Sequence, residues 1–239
     1  MPTRGFFTRP TTTVLYGADR PLLNWVAYAL ASASDPGFIW TDVRLEGEVL
    51  AQSDILAGNL IPPERLNVID PETLAPHRSA AKAAVENVVR DGESDESLQR
   101  LMDFLRLPLG AQRLLAKGSS GSHPLVLVLS NAQRAVALWP SETVAPVLGA
   151  IVGAGGTFIM TFADAPPGSH RSFDVMLEAE GEDLREWDRV RLRVLKGPAN
   201  GPLRTGELHR LGELAPLAAI LARDLGGALG GPRPAAASW

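Results

Sequence analysis

Two apolar runs of strand length constrain this chain most: Pro124-Leu125-Val126-Leu127-Val128-Leu129 and Thr157-Phe158-Ile159-Met160-Thr161-Phe162. A strand with one wet face alternates apolar and polar residues. A run that is apolar throughout needs cover on both faces, the condition of a strand inside a parallel sheet. Shorter strand signals precede these two. They are Thr11-Thr12-Thr13-Val14-Leu15-Tyr16, stopped by Gly17, then residues 38–43 after Pro36-Gly37, then residues 66–70. Helical patterns fall between the strands, over 21–34, 49–57, 79–90, 95–116 with a break at Pro108, 141–153 and 213–225. Asp19 as a cap and Pro21 in the first turn mark the start of the first helix. Near the end the period changes. Residues 173–180 and 187–195 alternate around Gly181-Glu182-Asp183, which predicts an antiparallel hairpin. The expected architecture is α/β: a mostly parallel sheet with an antiparallel C-terminal hairpin.

The 239 residues suffice for one large domain, expected over 1–225. Residues 226–239, rich in Gly, Pro and Ala, are expected to form a flexible tail. The chain has no cysteine, which excludes disulfides, thiolate metal sites and a cysteine nucleophile. A formal charge of −4 provides no global attraction to nucleic acid or to an anionic membrane. No apolar stretch approaches a membrane span, and residues 1–10 have arginines but no apolar core of a secretory signal. The expectation is a cytoplasmic protein without membrane contact.

The segment after the first strand bears most on function. In a phosphate-binding loop, a strand runs through G-x-x-x-x-G-K-[ST] into a helix; amides cradle phosphate, lysine neutralises it and a hydroxyl binds magnesium. Here the strand, the first glycine and the helix are present, but the sequence is Gly17-Ala18-Asp19-Arg20-Pro21-Leu22-Leu23-Asn24. Leu22 stands for the second glycine, Leu23 for the lysine and Asn24 for the hydroxyl. Pro21 removes an amide, and a capping Asp19 places a carboxylate where the anion would sit. Arg20 lies outside the cradle. The strand 125–129 ends in Ser130-Asn131, where a magnesium-holding carboxylate would be expected. Ser130 is expected to cap the next helix.

With these segments in order, the chain resembles the RecA/KaiC superfamily over residues 11–212. A third pattern contributes: Gly156 to Thr161, then Phe173-Asp174-Val175-Met176-Leu177, then Arg191-Leu192-Arg193-Val194-Leu195-Lys196-Gly197. It is similar to the family's core strand with a terminal polar sensor, followed by its hairpin and basic turn. The resemblance implies a three-layer RecA-like sandwich with degenerate Walker A and Walker B positions. In active members the basic turn offers a lysine and an arginine to a neighbour's nucleotide; Lys196 matches, and Pro198 stands for the arginine. The implied function is a pseudo-ATPase with no cofactor and no catalytic residue. It would serve as a protein-interaction or assembly module, as a homo-oligomer or with an active RecA-like paralogue. The alternatives are a nucleic-acid-binding recombinase-paralogue adaptor, or an enzyme using Asp42, Asp70, Ser130 and Thr161 at the C-terminal strand ends.

Arg189, Arg191 and Arg193 alternate with Val190, Leu192 and Val194, which on one strand puts three arginines on one face. With Lys196 they form the expected interaction face, for an acidic partner or a phosphate backbone. The plainer expectation is cross-strand pairing with Glu178 and Glu180. His77, His123, His170 and His209 have no metal-ligand spacing. Ser169-His170 with Asp174 lacks a nucleophile elbow. Residues 118–122 suit a flexible loop, and residues 153–156 a helix end rather than a dinucleotide loop. Trp25, Trp40, Trp139 and Trp187 are expected in packing, and Trp239 ends the tail.

Overall fold

A computed structural model of the protein describes residues 11–34, 37–43, 60–62, 65–69, 126–133, 157–164, 173–181, 183–197 and 203–228. The helices expected over 49–57, 79–90, 95–116 and 141–153 lie outside these residues. So do His77, His123, Ser169, His170, Asp70, the loops 118–122 and 153–156, Trp139 and Trp239.

The chain begins with β1 (Thr12–Tyr16), a three-residue turn and α1 (Arg20–Ser34). Then come β2 (Ile39–Val43), β3 (Leu66–Ile69), β4 (Val126–Ser130), β5 (Thr157–Phe162) and β6 (Val175–Glu180). A 3-10 helix (Leu184–Arg189), β7 (Arg191–Lys196), β8 (Leu208–Arg210), a short 3-10 turn (Leu211–Glu213) and α2 (Ala215–Ala228) complete it. All eight strands form one sheet in the order β3-β2-β4-β5-β1-β6-β7-β8. The first six are parallel to their neighbours; β7 and β8 are antiparallel. The protein is α/β with the expected mostly parallel sheet and C-terminal antiparallel hairpin.

Burial follows the sequence pattern. Every residue of β1, β4 and β5 is buried, as continuous apolar strands require. Thr12 is tied to Asp174, the residue before β6: its amide and hydroxyl both donate to Asp174 Oδ2 at 2.9 Å. α1 packs on β1, β4 and β5 and against α2. Leu15, Val128, Ile159 and Leu177 of the sheet share one core with Leu22, Trp25 and Leu30 of α1 and Leu217, Leu221 and Leu225 of α2. The i, i+4 spacing of the last three forms the apolar stripe of α2. The Tyr28 hydroxyl donates to Asp224 Oδ2 at 2.9 Å and joins the two helices.

Three boundaries differ from expectation. The strand expected over 187–195 begins only at Arg191, because Leu184–Arg189 is a 3-10 helix. Asp183 starts it by accepting from Arg185 N at 2.8 Å. Trp187 and Val190 both pack toward the core. They are three residues apart, so a strand would send them to opposite faces, whereas a 3-10 turn brings them to one side. The polar segment after β7 contains a further strand, β8, reached through a turn with Gly206 at φ +88°. α2 runs from Ala215 to Ala228, through the first residues of the expected tail.

Candidate functional site

Parallel strands β1, β5 and β4 lie side by side with their carboxyl ends together, and residues 17–24, compared above with a phosphate loop, follow β1 there. Only Gly17, Ala18 and Asp19 separate β1 from α1. Residues 20–24 are therefore already helical. Gly17 N donates to Phe162 O at 3.2 Å. A Cβ on Gly17 would stand 2.5 Å from Ala179 O. The glycine thus serves close backbone approach between neighbouring strands.

Asp19 closes the start of α1 on itself. Its Oδ1 accepts from Leu22 N at 2.9 Å and its carbonyl accepts from Leu23 N at 3.0 Å. Pro21 has no amide to offer. Leu22 and Leu23 are turned into the core, 1% and 3% exposed. Each burial is worth roughly 1.5–3 kcal/mol and the cap about 1 kcal/mol. The positions that would face an anion in a working loop are here capped or buried.

The structure brings Asn24 and Ser130 into contact: the Ser130 hydroxyl donates to Asn24 Oδ1 at 3.0 Å, with both residues buried. This bond joins the end of β4 to the first turns of α1; the helix that Ser130 is expected to cap lies almost wholly outside the described residues. Beside it, Asn131 has φ 55°, a left-handed conformation that asparagine tolerates better than most residues. Its amide donates to Thr161 Oγ1 at 3.0 Å. Four neutral polar residues, Asn24, Ser130, Asn131 and Thr161, thus form a buried seam across α1, β4 and β5. Asp42 pairs in register with Ser130 at the end of β2.

The expected arginine face is not assembled as the sequence suggested. Arg189 ends the 3-10 helix and pairs with Glu186 at 3.2 Å. Arg193 is held by two glutamates of β6, with Nε 3.4 Å from Glu178 Oε2 and 2.9 Å from Glu180 Oε1. The hydrogen bond to Glu180 holds its guanidinium pKa above the ordinary arginine value. Beneath this cluster, burial and then the Glu178 carboxylate raise the Tyr16 pKa. Lys196 donates to the carbonyl of Phe173. Of the three arginines, Arg191 is an exposed strand residue with no ion pair among the described residues. Arg210 of β8 joins it across the ladder. That strand is three residues between a turn and a 3-10 helix, too short to show a period in sequence.

Among the described residues, no group of three or more His, Asp or Glu is placed to hold a metal. No described helix is long and apolar enough to cross a membrane. No protein-family model matches the chain, and no curated protein is significantly similar to it.

Proposed function

We propose that this chain is a RecA/KaiC-like module, a three-layer sandwich whose nucleotide site has become part of its core. Its role on this reading is protein assembly or regulation, as a homo-oligomer or beside an active paralogue. The observation that carries it is the three-residue turn between β1 and α1, with Asp19 on the helix amides and Leu22 and Leu23 buried.

Topology supports the fold assignment. From β1 to β2 to β3 the chain steps one way along the sheet; from β3 through β4 and β5 to β6 it steps back. Right-handed connections in these two directions pass over opposite faces. Burial agrees: Leu15 and Leu177 lie on the face covered by α1 and α2, yet Val14, Met160 and Met176, which alternate to the other face, are 0–1% exposed. The reversal between β1 and β5 makes their carboxyl ends the crevice where open α/β sheets hold ligands. The Asn24–Ser130 bond occupies that place with neutral side chains.

A thermal-shift titration with millimolar ATP, ADP or GTP plus magnesium tests the reading, alongside a turnover assay. The expected result is no change in midpoint and no hydrolysis. A clear stabilisation by a nucleotide, or magnesium-dependent turnover lost on replacing a polar residue of the seam, overturns it.

A further inference from the structure

The last edge of the sheet sets two exposed arginines opposite each other. β7 and β8 run antiparallel, with Arg191 opposite Arg210, Leu192 opposite His209 and Arg193 opposite Leu208. Val194 N donates to Glu207 O at 2.9 Å, and Leu211 N donates to Val190 O at 2.8 Å. These bonds set the phase of the ladder, so Glu207, His209 and Leu211 turn their backbone groups toward β7. Arg191 and Arg210 then form a non-hydrogen-bonded pair, the closer kind, with Cα atoms about 4.5 Å apart. Both are exposed. Like charges directly opposite each other on a sheet are destabilising. Glu180 stands opposite Arg191 in register, but its carboxylate goes to Arg193. Among the described residues, neither Arg191 nor Arg210 has a carboxylate within ion-pair distance.

The same edge offers backbone and an apolar contact. β8 is the terminal strand, so the N–H and C=O of Leu208 point away from β7, outward. The neighbouring outward amide, that of Arg210, is taken by Glu213 Oε2 at 3.4 Å. Leu208 is 51% exposed, the one large hydrophobic residue so exposed among those described. Its register with Arg193 sets it on the same sheet face as Arg191 and Arg210.

We propose that this edge is a docking site for an extended acidic segment of a protein partner, with carboxylates for Arg191 and Arg210 and an apolar residue beside Leu208. Alternating residues of an extended segment fall on one face, matching the spacing of Leu208 and Arg210. A nucleic-acid strand fits less well. Its evenly spaced phosphates would run over Glu178, Glu180, Glu207 and Glu213, on a chain of net charge −4. Nothing in this surface depends on whether the fold once held a nucleotide.

Fluorescence anisotropy on the full chain tests the proposal with three labelled probes: a peptide alternating glutamate and valine, its lysine counterpart, and oligo-dT of similar length. The acidic peptide should bind alone and weaken with salt. Arg191→Ala and Arg210→Ala should each weaken it about tenfold, the equivalent of one charge-assisted hydrogen bond. Arg185→Ala, exposed on the 3-10 helix, should leave it unchanged. Arg210→Glu should abolish binding yet raise the thermal midpoint, because it converts the like pair into an opposite pair. A purely structural arginine would lower the midpoint when replaced, and that outcome overturns the proposal. So does failure of the acidic peptide to bind at low salt, or binding that survives both alanine variants. Oligo-dT binding lost in those same variants would replace the protein partner with a nucleic acid.

Discussion

The carboxyl ends of β1, β4 and β5 and the edge strand β8 both collect polar groups, with opposite outcomes. At the strand ends, Asn24, Ser130, Asn131 and Thr161 are buried and neutral, with Ser130 bonded to Asn24 and the Asn131 amide to Thr161. At the edge, Arg191 and Arg210 are exposed, charged and opposite each other, with no carboxylate within ion-pair distance among the described residues. A buried polar group must find its partner within the chain, because leaving it unpaired costs about 1–3 kcal/mol. An exposed charge has water and tolerates a poor neighbour at a few tenths of a kcal/mol. At the strand ends Ser130 and Thr161 are thus partnered within the chain, whereas the exposed arginines at the hairpin face water.

Adding one negative charge to each region separates them most sharply. Ser130→Asp puts a carboxylate at a residue with 0% exposure, beside Asn24 Oδ1. Urea denaturation should show a loss of about 3–5 kcal/mol, the range for an uncompensated buried charge. The loss should shrink at low pH, where the carboxyl is neutral. A wild-type midpoint would mean that the seam is open to water or cation.

The seam's hydrogen bond is the next target. Asn24→Ala leaves the Ser130 hydroxyl without that acceptor and should cost about 1–3 kcal/mol. Combining Asn24→Leu with Ser130→Ala removes both polar partners and should recover most of it. A double variant as unstable as the sum of its singles would show that the two side chains do not act as a pair.

A smaller effect is expected at high pH. Burial, followed by the hydrogen bond to Asp224, raises the Tyr28 pKa above its ordinary value of 10.0. A raised pKa stabilises the fold fully below the unfolded value; the contribution is lost as pH rises through the folded value. Stability should therefore decline above about pH 10. Tyr28→Phe should lose about 1 kcal/mol at neutral pH and flatten that decline. An unchanged alkaline slope would assign it to other groups, with Tyr16 next in line.

The smallest effect has the opposite sign. Arg210→Glu should raise stability by a few tenths of a kcal/mol, since it gives Arg191 an opposite charge across the ladder. A fall in stability would mean that the pair is already neutralised.

Much of the central sheet was legible beforehand because its strands announce themselves. Val126–Ser130 and Thr157–Phe162 are apolar over strand length, and the structure buries them completely. Gly17 and the Asp19 cap located the β1–α1 turn within a residue. The hairpin was legible only in part. Alternation over 187–195 is shared by a strand and by a 3-10 turn leading into one. The contest was decided by Trp187 and Val190 packing on the same core, which residue spacing alone does not reveal.

The sequence by itself determined which residues are too apolar to face water and that Leu22, Leu23 and Asn24 bring no charge to the start of α1. Both follow from side-chain chemistry, whatever the neighbours. Only the tertiary structure decided which polar groups meet. Asn24 and Ser130 are 106 residues apart and bonded. Arg189 left the strand and Arg210 took the place beside Arg191, while Arg193 met the two glutamates that cross-strand pairing predicts. Register between strands sets these pairings, and register depends on turns, bulges and packing that no single segment encodes.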